Sequence, residues 1–90
     1  MQRVIVFYSG RVQGVGFRVT ARRLACGYNV VGAVRNVSDG RVELIAEGTR
    51  SELEAFLTGI VESELSGFIA KKSETWQEAQ GDLRGFVIVP

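Results

Sequence analysis

Twice in 90 residues the hydrophobic period of this chain switches from two to about 3.6, and that repeated switch restricts the possible folds more than any other feature. Residues 3–9, RVIVFYS, are β-branched and aromatic with both parities apolar, which predicts a central strand covered on both faces. Beyond it Phe17, Ala21, Leu24, Ala25 and Tyr28 recur at helical spacing, so a helix lays one apolar stripe on the sheet. Asn29, tolerant of the left-handed conformation, would end that helix near Tyr28. Residues 30–37 are again apolar and β-branched, SDGR supplies an Asp-Gly turn, and VELIAE puts Val42, Leu44 and Ala46 on one face of a returning strand. Thr49 with Glu52 fits a capping box, and Leu53, Phe56, Leu57, Ile60 and Val61 trace a second helix ending around Ser63. After Gly67, FIAKKSETW has the polar alternation of an edge strand guarded by lysines, and GDLRGFVIVP closes the chain as a last strand.

The order is β-α-β-β-α-β, with the polar strand read as an insertion before the last one. It predicts an α+β, ferredoxin-like sandwich: an antiparallel sheet with two helices on one face. Residues 1–90 make one domain, since a chain this short can build only one core. Lys plus Arg number 11 against 10 for Asp plus Glu, so no global field draws the chain to nucleic acid or to an anionic membrane. The short apolar runs and the direct entry into a strand at MQRVIVF predict a cytoplasmic protein. Cys26 is the lone cysteine and histidine is absent, which excludes a Ser-His-Asp triad, a Cys-His pair and the common zinc sites. Arginine, amides and carboxylates remain as chemistry.

The segment GRVQGVGFR, residues 10–18, joins the first strand to the first helix with three glycines and ends on an arginine. Gly10, Gly14 and Gly16 permit a curled loop whose amides converge, and the start of the helix adds unpaired N–H groups and a positive dipole end. Arg18 in that first turn is locally disfavoured by the dipole, by up to about 1 kcal/mol, and an anion between the two would relieve the conflict. Its planar guanidinium suits phosphate oxygens. On the residues alone, a tight connection and an anion-holding nest fit this loop equally well. The Lys-Ser/Thr pair of a nucleotide-binding phosphate loop is missing after the last glycine.

GRVQGVGFR followed by GAVRNVSDGRVELIAEG resembles the two signature segments of the acylphosphatases, hydrolases of the carboxyl-phosphate bond. Gly10, Val12, Gln13, Gly14, Val15, Phe17 and Arg18 match the first signature, and Gly32, Val34, Asn36, Gly40, Val42 and Gly48 the second. The resemblance spans essentially the whole chain. It implies that Arg18 and the loop amides of Gly14, Val15, Gly16 and Phe17 bind the phosphate, and that Asn36 positions the attacking water. It implies a small acyl phosphate as substrate and inorganic phosphate as product, with no metal and no cofactor. A monomer is the expected state, with no nucleic acid or membrane partner. By itself Asn36, just before an Asp-Gly turn, reads as a turn residue; the signature gives it the catalytic role. Ala33 stands where the family has a large aromatic, which bears on packing near Asn36, and Tyr8 where it has an aliphatic residue.

Two other functions compete. A non-catalytic anion-binding module would share the site, and a ferredoxin-like RNA binder would share the topology but lacks the aromatic and basic strand pattern. Cys26 is expected to be small and buried, Arg22 and Arg23 to form a solvated helix face, and Trp76 and Tyr28 to serve packing.

Overall fold

The structure, a computed structural model, describes residues 1–90. The elements are β1 (Gln2–Gly10), α1 (Phe17–Ala25), β2 (Val30–Asn36), β3 (Val42–Gly48), α2 (Arg50–Val61), β4 (Ile69–Glu78) and β5 (Phe86–Val89), with one 3-10 turn at Ser66–Phe68. The strands form one sheet in the order β4-β1-β3-β2-β5. All neighbours are antiparallel except β2 and β5, which run parallel. No helix is long and apolar enough to cross a membrane.

The α+β class with two helices and a mostly antiparallel sheet is as the sequence predicts, with one exchange of roles. The polar strand β4 is the fourth strand of the β-α-β-β-α-β frame and pairs along the whole of β1, while apolar β5 is the addition, on the opposite edge beside β2. β4 is polar because most of its side chains are exposed, whereas Phe86 and Ile88 of the other edge strand, β5, pack against the core.

Strand alternation sets the core. Val4, Val6 and Tyr8 of β1 lie opposite Ala46, Leu44 and Val42 of β3, and all six are buried. Phe17, Ala21 and Ala25 of α1 and Leu53, Phe56, Leu57 and Ile60 of α2 pack on that face. Tyr8 meets the Phe17 ring at 4.9 Å between centroids, and its buried hydroxyl has no hydrogen-bond partner. Burial first, and then the Glu74 charge, push its ionisation well above the usual phenol range.

β1 is central but covered by helices on one face only. Ile5 and Phe7 point to the other face and are half-buried, with the Arg41 guanidinium 4.3 Å above the Phe7 ring. On that same face Arg3 and Glu47, register partners, form a buried ion pair at 2.6 Å. The link from β4 to β5, residues 79–85, must pass from one edge of the sheet to the other, and it crosses here. Gln80 and Gly81 donate their amides to the Glu47 carboxylate at 2.8 and 3.1 Å, and Arg3 reaches on to Asp82. These amides and Arg3 hold the Glu47 carboxyl below its ordinary value despite the opposing cost of burial.

α1 is shorter than its apolar stripe suggests, while α2 ends two residues before the expected Ser63. α1 ends at Ala25, where the amides of Cys26, Gly27 and Tyr28 turn to carbonyls three residues back at 3.3, 3.0 and 3.1 Å. No non-glycine residue has a positive φ, so Asn29 does not end the helix as expected; its amide donates to Glu52 at 2.7 Å instead. That leaves the capping box of α2 half made: Thr49 accepts from the Glu52 amide, while the Glu52 carboxylate serves Asn29. α2 ends at Val61, which is exposed. Cys26 is exposed as well, contrary to expectation, because it lies past the last helical residue and its Sγ turns back to the Arg22 carbonyl. Tyr28 packs on Phe56 at 5.7 Å and Trp76 lies beneath Arg50 at 3.8 Å, while Arg23 pairs with Glu64 on the surface.

Candidate anion-binding site

At one end of the sheet Tyr8, Val42 and Asn36 form a row across β1, β3 and β2, which puts the Asn36 side chain on the helix-covered side. The β1–α1 loop passes over this end. Between them lies a cavity of about 90 Å³ lined by Val12, Gly14, Gly16, Phe17, Arg18, Val19 and Asn36. The residues singled out in the two distant segments thus share one concavity, with Val15 excepted: its side chain packs on the core, leaving only its backbone to the loop.

The backbone here is built around two glycines. Gly14 and Gly16 have φ of 78° and 79°, and a Cβ on either would meet nothing within 4 Å, so conformation and not crowding requires glycine. Gly16 is the N-cap of α1; it offers no side-chain bond, and the first turn carries no acid. None of the N–H groups from Val12 to Val19 donates to a backbone carbonyl; the first such donor is Thr20, to Gly16 at 3.0 Å. A cluster of free donors at a helix N-terminus can hold an oxyanion.

Arg18 is half-buried, and its Nη1 donates to the Val89 carbonyl of β5 at 3.0 Å, which leaves other guanidinium donors free. Asn36, the last residue of β2, is half-buried and just precedes the turn to β3. That turn is stiff. Val37 donates to Arg41 at 2.8 Å, and Asp39 accepts from the Arg41 amide at 3.1 Å and from its Nε at 2.9 Å. Arg41, its backbone amide foremost, lowers the Asp39 carboxyl below its ordinary value. Val19, 64 % exposed, gives the cavity an apolar outer lip.

Ala33 does not bear on Asn36 as expected. Three positions apart on a strand, the two side chains point to opposite faces, and Ala33 lies between Ile45 and Val87 on the face without helices. Two contacts of the site have no local sequence signal. The Val89 carbonyl that holds Arg18 is backbone 71 residues away, and Gln13, in the first signature, reaches the carbonyls of Val37 and Arg41. A larger hollow of about 430 Å³ opens beside Met1, Gln2, Trp76, Gln77 and Glu78, but its only charged side chain is a carboxylate.

Fold and site define a class: a two-layer α+β domain with an amide-rich loop and an arginine set against a carboxamide. Within it, the acylphosphatase family model matches residues 4–88, and the chain belongs to that family of hydrolases. An acylphosphatase of Rhodococcus jostii (strain RHA1) is 44 % identical over 87 residues, covering 97 % of this chain and 98 % of that protein. The crystal structure of acylphosphatase from Bacillus subtilis superposes with a TM-score of 0.91 at 32 % identity, covering 100 % of both chains. Full-length HypF in its phosphate- and nucleotide-bound form matches with a TM-score of 0.85 at 32 % identity; the match covers 100 % of this chain but 12 % of that one.

Proposed function

We propose that residues 1–90 act as one monomeric, cytoplasmic domain that hydrolyses small acyl phosphates to a carboxylate and inorganic phosphate by direct attack of water. The observation that carries the reading is the meeting of Arg18, the glycine loop and Asn36 around one cavity of about 90 Å³.

The loop amides and the free Arg18 donors bind the equatorial phosphoryl oxygens, where charge is spread in the transition state. Asn36 accepts from a water through its carbonyl and donates through its amide, so it aims the nucleophile without being a strong base. The water oxygen bonds to phosphorus as the bond from phosphorus to the acyl oxygen breaks. The carboxylate leaves with that electron pair, and the proton shed by water passes to a phosphate oxygen. A carboxylate is a good leaving group and needs no general acid, in keeping with a chain that has no histidine. The apolar lip at Val19 offers the organic part of the substrate a surface outside the anion site. Neither a metal nor a cofactor takes part in these steps.

Benzoyl phosphate with excess chelator tests the reading: we expect phosphate release well above the uncatalysed rate. Asn36→Ala should collapse kcat while inhibition by inorganic phosphate persists. An inert wild-type chain that still binds phosphate would select the anion-module reading, which the embedding of this fold in the longer HypF chain keeps in view.

A further inference from the structure

Gln13 sits in the exposed middle of the β1–α1 loop, yet its carboxamide makes the only hydrogen bonds that join residues 11–16 to the β2–β3 turn. Nε2 donates to the Val37 carbonyl at 2.7 Å and to the Arg41 carbonyl at 2.9 Å. Both partners are acceptors, which fixes the amide orientation and uses both of its hydrogens. The grip falls on carbonyls already fixed within the hairpin turn. The Val37 carbonyl also accepts from Gly40 at 3.0 Å, and that of Arg41 from Val37 at 2.8 Å. It also falls one residue beyond Asn36. On the loop side, Gln13 adjoins Gly14, which with Gly16 brings freedom and no side-chain packing of its own.

We propose that Gln13 is a positioning residue: it braces the anion-binding loop against the hairpin turn and so sets the spacing between the bound phosphoryl group and the carboxamide of Asn36. Its kinetic consequence rests on the hydrolase reading above. In-line attack tolerates little error, and a misplacement of about 1 Å costs on the order of 10²-fold in rate. Two exposed hydrogen bonds also support the fold modestly, so the brace is read from kcat against KM and from phosphate-linked shifts, not from stability alone.

Gln13→Ala should lower kcat for benzoyl phosphate about 10- to 100-fold, with KM and phosphate inhibition within about 3-fold and a melting temperature at most about 8 °C lower. Gln13→Glu turns two donors into a carboxylate facing two carbonyls, so it should match the alanine variant at pH 8. Below about pH 5 the protonated acid regains one donor, and activity should partly recover on an acid limb absent from wild type and Gln13→Ala. A second readout needs no turnover. In NMR titrations with inorganic phosphate, wild type should show the loop amides and the Asn36 carboxamide shifting together, and Gln13→Ala should shift the loop amides alone. Full kcat in Gln13→Ala, or an Asn36 response to phosphate equal to wild type, would overturn the proposal. Coupled NMR shifts in a protein without turnover would uphold the brace and remove the hydrolase.

Discussion

At the junction of β3 and α2 the strand ends on Gly48, Thr49 caps the helix through the Glu52 amide, and Glu52 places an acid in the first turn. At the junction of β1 and α1, six residues intervene, the cap is a left-handed glycine without a side chain, and the first turn carries Arg18 and no acid. Both are strand-to-helix connections within one small domain. One pairs an amide with its own side-chain cap and sets an acid beside Arg50; the other has no side-chain cap and no acid, and holds Arg18 at that end. An anion at the second would complement both its free amides and Arg18.

Replacing Arg18 by Gln removes the cation from the open junction, and hydrolysis of benzoyl phosphate should fall by at least about 10²- to 10³-fold. Phosphate inhibition should go with it; a variant that keeps both would take Arg18 out of the site. Gly16→Ala forces a side chain into φ of 79°, at about 1 kcal/mol. Its amides should shift with it, so we expect kcat/KM about 10-fold lower and a melting temperature some 4–8 °C lower. Thr49→Ala strikes the closed junction and should cost about 1 kcal/mol of stability while leaving turnover as it was. Lost activity there would mean that the two junctions are not separable. The smallest effect belongs to Val19→Glu, which gives α1 the acid that α2 already has. Stability should rise by about 0.3–1 kcal/mol, while the phosphate inhibition constant weakens about 2- to 5-fold. Tighter phosphate binding would contradict the contrast.

What the sequence discloses here follows from which atoms carry the message. Val42, Leu44 and Ala46, or Phe56 and Ile60, announce their face because apolar side chains repeat with the element's own period. The Asp39-Gly40 turn is local chemistry and legible for the same reason. The last turns of α1 were not: Tyr28 continues the stripe, but the amides of residues 26–28 tighten onto carbonyls three back, which no side chain records. Nor did polarity say which strand was the addition, since β4 is polar by exposure and β5 apolar although it too lies at an edge. For the site, Arg18 and the glycines suggested an anion from their own physics, whereas Asn36 needed the resemblance. The hold of Val89 on Arg18 and of Gln13 on the turn runs through backbone carbonyls far along the chain, which every residue type possesses alike.

The segment crossing the uncovered face of the sheet has a reach greater than its size. Glu47 collects two amides from it, and β5, which follows directly, ends on the carbonyl that Arg18 grasps. Since the folded Glu47 titrates below its ordinary 4.5, its contribution is whole above that pH and drains away as acid carries the solution through the lower, folded value. A proton taken up by Glu47 thus weakens its hold on the amides of Gln80 and Gly81, in the segment that leads into β5.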